Sequence, residues 1–430
     1  MGITIRSDGV FPMKYANQWM KIRFNKVITH SHPTAGVPAG SASTCPEDWK
    51  KKYTFTRGCT ACTRAKRRGL MPQIISYLGE QKDRIIECLS DFVSGRRQGF
   101  ARVNTWGPDV LDRLFEFAGR GKMIRGALVI LSDSLFSRSQ VPHQDAVRAA
   151  AAIELMQSFL LIHDDIMDQD YLRRGRASVF AQYAKILEKE APRAGTDEFR
   201  RFGEAMGICA GDISMLLAFE LFATLKQPPE RKVEIIARAA QEIGWVGAAQ
   251  MNDVYNGMAE DVATEEDITS VYRYKTGRYT FSLPLQLGAL LGGASSDDQV
   301  TLSTLGEQLG LLFQIKDDDL GIWGAEADTG KPVGSDIIAG KQTLHRLYLV
   351  ESVPSAERNR VEELFRSGEK SAVIEVRSLL EQHGAQERVV ARMRDHATAA
   401  RRAITQLRGI MESGREILQE LVSYSLDRSA

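Results

Sequence analysis

Cysteine is scarce in this chain. Five occur among 430 residues, at positions 45, 59, 62, 88 and 209. So few, and odd in number, they fit a reduced, cytoplasmic setting better than a disulfide framework. Net charge is missing as well: 56 Lys and Arg against 55 Asp and Glu leave +1, which gives no reason to expect a nucleic-acid partner. Long apolar runs are also lacking. The best, Ala149–Ile162, is interrupted by Glu154 and Gln157, short of the ~20 residues that a transmembrane helix needs, so no membrane span is expected. Beyond Met71 there is neither sustained period-2 alternation nor a hairpin turn signal, which argues against a β-rich fold.

What is present is unevenly spread. Residues 1–70 carry thirteen Lys or Arg against three Asp or Glu. They are rich in Gly, Ser, Thr and Pro and show no helical or strand period, so they read as a basic, weakly structured extension. Three uses compete for it: a dispensable leader, an organelle-targeting segment, or a zinc site built from Cys45, Cys59 and Cys62 with His30 or His32. A single CxxC without a clean second pair is weak support for the last.

From Met71 the pattern changes. Ile74, Ile75, Leu78, Ile85, Ile86, Leu89 and Phe92 recur at helical spacing, marking an amphipathic helix. Further helical stretches follow, many apolar on more than one face, with Gly and Pro gathered into short connections. The expectation is an all-α bundle with a central cavity over residues 71–430. The tail, 356–430, reads as charged amphipathic helix and is expected to form an outer wall rather than part of a site.

Two acidic clusters stand out. In SFLLIHDDIMDQDYLRRGRAS (158–178) an apolar run leads into Asp164, Asp165 and Asp168, followed by Arg173 and Arg174. Asp164 and Asp168 lie one helical turn apart and share a face. Unpaired acids at the end of a buried helix repel one another. Hard oxygen ligands of this kind suit Mg²⁺, which is commonly held by one or two carboxylates plus substrate phosphates. A solvated, salt-bridged helix end would account for DDIMD alone; the arginine pair argues against it. The second cluster, FQIKDDDLGIWG (313–324), again runs apolar residues into Asp317 and Asp318. Between them lies YKTGRYT with Lys275 and Thr276, and beyond them Lys331 and GSDIIAGK with Asp336 and Lys341. Two carboxylate sites, several cations and apolar residues behind one cluster suit a diphosphate held through metal, with a hydrocarbon tail in a dry cavity.

These motifs, with GKMIRG at 121–126, resemble in order and spacing those of the trans-isoprenyl diphosphate synthases, the family of farnesyl and geranylgeranyl diphosphate synthases. The resemblance runs from about Gly121 to Lys341. It departs at Gly321, where many members carry a third Asp and Gly is a family variant, and Gln157 stands where some members carry His and others Gln. It implies an all-α isoprenoid synthase fold and a prenyltransferase that condenses isopentenyl diphosphate with allylic diphosphates. It implies Mg²⁺, three ions per site with Mn²⁺ as a substitute, and a homodimer. It also implies roles for residues: Asp164, Asp168 and Asp317 on the metals, with Asp165 and Asp318 behind them; Arg173, Gln250, Asp253, Lys275 and Lys331 on the allylic diphosphate; Lys122, Arg125, Gln157 and Arg174 on isopentenyl diphosphate; and Lys275, Thr276 and Gln314 near the reacting carbons. Asp336 and Lys341 read as a salt-bridged loop closing over the site, and His163 as structural.

Product length is the finest inference. Phe159 and Leu160, five and four residues before Asp164, lie about one turn below the acids. A single aromatic five before the motif resembles the geranylgeranyl-forming branch, with farnesyl- or C25-forming activity as alternatives and a plain core role for Phe159 as the bland reading. A class I terpene cyclase would lack the arginine pair, the Lys-Thr motif and GKMIRG. A non-catalytic regulatory subunit would degrade one of the acid motifs, and here both are intact.

Overall fold

The computed structural model describes residues 73–139, 143–258, 263–324 and 334–428. The basic extension with Cys45, Cys59 and Cys62, and also Lys331, lie outside the described residues. The first helix, α1 (Gln73–Ala101), runs unbroken through Gly95 and Gly99. It is followed by α2 (Trp106–Gly119), α3 (Ile124–Ser137) and α4 (Gln144–Met167), then α5 (Val179–Glu190), α6 (Thr196–Ala223), α7 (Pro229–Met258) and α8 (Glu265–Val271). A π-helical segment, Tyr272–Ser282, leads into α9 (Leu283–Gly292) and α10 (Ser296–Trp323). Short α11 (Ser335–Ile338) and α12 (Leu344–Ser352) precede α13 (Arg358–Arg366), α14 (Lys370–Gln382), α15 (Ala385–Gln406) and α16 (Glu412–Asp427). The all-α expectation holds.

Two helices organise the rest. In α4, Ala149, Ala150, Ala151 and Ala152 are all fully buried; four small side chains in a row let α3 and α6 pack close against it. Helix α10 packs between the π segment and α15. Its Gly310 lies against Gly277 of the π segment, so near that a Cβ on Gly310 would sit 2.0 Å from the Gly277 Cα.

One element departs from the sequence reading. A two-stranded antiparallel hairpin, β1 (Leu172–Arg173) and β2 (Arg176–Ala177), interrupts the helices, with Arg173 opposite Arg176. Its turn is Arg174–Gly175, both at positive φ (52° and 73°), as a type I′ turn requires. An arginine in the first place, rather than Asn or Asp, hid the signal. Helices α4 and α6 are also long and apolar enough to cross a membrane by length and composition, although neither carries an unbroken apolar run of that length. Of their most apolar windows, 61% and 44% respectively are buried inside the protein, so internal packing accounts for much of that apolarity, more of it in α4 than in α6.

The contact between α15 and α10 carries a pH-dependent element. His396 is mostly buried, its Nδ1 2.8 Å from Gln308 Oε1. Burial, reinforced by Arg392, pushes its pKa down to about 4 from 6.5, against weaker pulls from Asp395 and Glu265 and a further push from Arg273. Between those values the unfolded chain binds the proton and the folded one does not, so stability falls as pH drops from 6.5 towards 4, by up to about 3 kcal/mol. Urea unfolding of His396→Gln across that range is expected to show a flatter acid limb than the parent; an unchanged slope would assign the loss to other groups.

Candidate active site

Both acid motifs sit near the C-terminal ends of their helices, where exposed carbonyls make negative charge unfavourable and a cation welcome. Asp164 and Asp165 lie in the last turn of α4, and Asp168 is its exposed C-cap. Asp165 is fully buried and pairs with Arg173 Nε, while its Oδ2 has no hydrogen-bond partner. Burial, only partly offset by Arg173, pushes its pKa up to about 7. Asp164 faces two cations, Arg173 Nη2 at 3.4 Å and Lys275 Nζ at 3.5 Å. Lys275 in turn donates to Asp253 Oδ2 of α7 at 2.6 Å, and Gln250 lies half-buried one turn before Asp253.

The second motif is built differently. Asp317 is exposed and paired with Arg428, whose guanidinium also donates to the Phe313 carbonyl at 2.9 Å and lies 3.8 Å from the Phe313 ring centroid. Asp318 is buried and accepts from Tyr272 Oη and, at 3.1 Å, from Gln314 Nε2. Burial and nearby Asp336 hold its pKa well above the usual carboxylate range. Asp319, which the sequence reading left without a role, is buried. Burial raises its pKa, but nearby His345, with Nε2 at 3.6 Å, and hydrogen bonds from Gln386 and Lys316 outweigh it and leave the carboxyl below the usual range. The C-terminal helices are therefore not merely an outer wall: Gln386 reaches Asp319 at 2.9 Å, and Arg428 reaches Asp317.

The π segment joins the two clusters. Lys275 reaches Asp164 of the first, and the adjacent Thr276 donates to Gln314 Oε1 at 2.9 Å, which holds Asp318 of the second. Wide π turns recur at functional sites, and here neighbouring side chains serve different helices. Asp336 and Lys341 form the expected ion pair at 3.1 Å. Gly321 is explained by the same loop: a Cβ there would sit 2.3 Å from Asp336 Oδ2, so Asp336 occupies the space that a side chain at 321 would take.

A second group of cations lies to one side. The hairpin separates the arginine pair: Arg173 turns to the acids, whereas Arg174 approaches Gly121 and the Phe117 carbonyl at 3.4 Å. Arg125 donates to Thr280 Oγ1 at 2.6 Å and lies 4.9 Å from the Tyr279 ring centroid. Lys122 is exposed at the entrance of α3, and Gln157 is half-buried on α4. Met123 and Arg174 are both left-handed non-glycine residues, a conformation that costs of order 1 kcal/mol or more and gathers at functional sites. Below the acids, the half-buried Phe159 meets His163 edge-on at 4.8 Å between ring centroids, and Leu160 packs into the core. His163 is 3.3 Å from the Ile208 carbonyl and 3.6 Å from Asp212, partners that fit a structural role.

An all-α bundle with two acid clusters at helix C-termini, bridged by a Lys-Thr π segment and flanked by a separate cation group, defines a diphosphate-handling transferase. The profile of the polyprenyl synthetase family matches residues 108–383, and the chain belongs to that family of prenyltransferases. It is 32% identical over 324 residues to the short chain isoprenyl diphosphate synthase of Methanothermobacter thermautotrophicus, covering 75% of this chain and 91% of the relative. It is 32% identical over 316 residues to a (2E,6E)-farnesyl diphosphate synthase of Mycobacterium tuberculosis, covering 72% and 80%. The crystal structure of a geranylgeranyl pyrophosphate synthase from Corynebacterium glutamicum, complexed with isoprenyl diphosphate and magnesium, superposes with a TM-score of 0.71 at 25% identity, covering 81% of this chain and 99% of that one.

Proposed function

We propose that the protein condenses isopentenyl diphosphate with an allylic diphosphate to give geranylgeranyl diphosphate. The observation that carries this reading is the π segment, which commits Lys275 to the first acid cluster and Thr276 to the second through Gln314. One ligand spanning both clusters would meet both side chains.

The donor set fits a divalent metal. Asp164, Asp168 and Asp317 offer hard oxygens at helix ends, and Asp165 Oδ2 is a buried acceptor without a partner. Among the described residues no three such side chains converge on one point; Mg²⁺ would be held by one or two carboxylates and completed by substrate phosphate oxygens. When bound, the metal supplies charge neutralisation for the departing diphosphate.

The chain's own residues do the rest. Lys275, Arg173 and Lys331 grip the allylic diphosphate, and Gln250 and Asp253 line its site. The allylic C–O bond breaks with its electron pair leaving on diphosphate. The alkene of isopentenyl diphosphate, held by Lys122, Arg125, Gln157 and Arg174, attacks the allylic cation, and Thr276 and Gln314 lie beside the reacting carbons. A proton is then lost to the released diphosphate. Phe159 and Leu160 form the floor under the growing chain. The protein acts as a homodimer, a reading supported by apolar side chains exposed on α6 and α7: Ile208, Leu216, Met251, Val254 and Tyr255.

The test is a product assay with Mg²⁺, isopentenyl diphosphate and each allylic primer in turn, chain length being read after dephosphorylation. A C20 product is expected, and no condensation with any primer would overturn the reading. Phe159→Ala is expected to lengthen the main product by at least one C5 unit, whereas an unchanged distribution would return Phe159 to a plain core role.

A further inference from the structure

The cations placed above on isopentenyl diphosphate, which meets neither acid cluster and so would bind without metal, come from the start of α3 and from the hairpin. Helix α1 brings another. Lys82 Nζ donates to the carbonyl of Gly121, the residue before Lys122, at 2.8 Å. Arg174 approaches the same glycine: a Cβ built there would lie 3.2 Å from its Nη1. Lys82, the Gly121–Lys122 turn and Arg174 therefore meet at one place. Burial and then repulsion by Arg174 push the Lys82 pKa down, and Arg174 is pushed down by burial, Arg173 and Arg125. Glu154, fully buried on α4 with Oε1 accepting from the Gly126 amide at 2.8 Å, attracts both, alongside Asp83 for Lys82 and Asp165 for Arg174. It draws on Arg125, Arg174 and Lys82 together. Asp83 is exposed and Asp165 is already paired with Arg173, so three cations share one remaining buried carboxylate and leave a positive surplus. Such a surplus is unfavourable until an anion neutralises it. A lysine ammonium has three donors, and only one is used on Gly121.

We propose that Lys82 is a further ligand of the diphosphate that binds without metal, completing from α1 the site formed by Lys122, Arg125 and Arg174. The proposal rests on the function given above and extends it to a residue outside the family motifs. The alternative is that Lys82 merely tethers the Gly121 turn, and two variants separate these. Lys82→Gln keeps a donor for the Gly121 carbonyl but removes the charge; Lys82→Arg keeps both.

In the full-length protein, Lys82→Gln is expected to raise KM for isopentenyl diphosphate about tenfold or more, with KM for the allylic substrate within twofold, and Lys82→Arg to recover most of the loss. A second readout does not depend on turnover. Inorganic pyrophosphate titrated calorimetrically in excess EDTA is expected to bind the parent and to bind Lys82→Gln about tenfold more weakly. Equal pyrophosphate affinity, or an unchanged KM for isopentenyl diphosphate in Lys82→Gln, would overturn the proposal, as would absence of metal-free binding to the parent. If the parent binds pyrophosphate with this dependence on Lys82 yet condenses no substrate pair, the assigned reaction fails while the anion site stands.

Discussion

Asp164→Asn is expected to lower kcat by about 10²- to 10⁴-fold while moving Tm by no more than about 2 °C. The two halves of that expectation have different physical origins. In the folded protein Asp164 faces Arg173 and Lys275 at 3.4 and 3.5 Å, with 22% of its side chain exposed. Partly hydrated ion pairs at such distances contribute about 0–1 kcal/mol. Lys275 retains Asp253, and Arg173 retains Asp165, so no buried charge is orphaned. Asn also keeps the shape. The negative charge matters when diphosphate must be held and neutralised as its bond to carbon breaks, and removing it costs about 3–5 kcal/mol there. Single-turnover rates at saturating substrate, set beside thermal unfolding, decide the point. Activity within tenfold of the parent, or a loss of Tm large enough to explain the loss of activity, would show that Asp164 serves the fold rather than the reaction.

The acid clusters were legible because each is written within one helix, where spacing alone fixes which carboxylates share a face. The all-α architecture was legible for the same local reason. Contacts between distant segments were not. Arg428 reaches Asp317 across 111 residues and Lys82 reaches Gly121 across 39, and no local period marks either side chain. The arginine pair could be read as a pair, yet its division between two sites depends on one left-handed residue, Arg174, in a turn whose sequence is atypical. The departure at Gly321 was visible as a difference, but its cause lies in Asp336 on another element. A π segment keeps the composition of an α-helix, so nothing in Tyr272–Ser282 announced the geometry that lets Lys275 and Thr276 serve different helices.

That geometry depends on the closest crossing in the site, and Gly310→Ala is expected to destabilise the protein by about 3 kcal/mol and to lower kcat by about 10²-fold beyond the folded fraction lost. A methyl group on Gly310 would meet the Gly277 Cα at 2.0 Å and its carbonyl carbon at 2.8 Å. These are backbone atoms, so no rotamer change relieves the overlap. Helix α10 and the π segment must separate by an ångström or more. Gln314 lies one turn beyond Gly310, and Thr276 directly precedes Gly277. The same displacement stretches their 2.9 Å hydrogen bond and loosens the Gln314 hold on Asp318. The control is the same substitution elsewhere: Gly244, within α7, has nothing within 4 Å of an added Cβ. There, Ala is expected to stabilise the helix by about 0.5–1 kcal/mol through lost backbone entropy in the unfolded chain. Denaturant unfolding and turnover measured on both variants test the claim. Opposite signs in stability, with activity lost only in Gly310→Ala, would show that the crossing sets the site. A Gly310→Ala protein of parental stability and activity would mean that the two elements can part without disturbing Lys275 and Thr276.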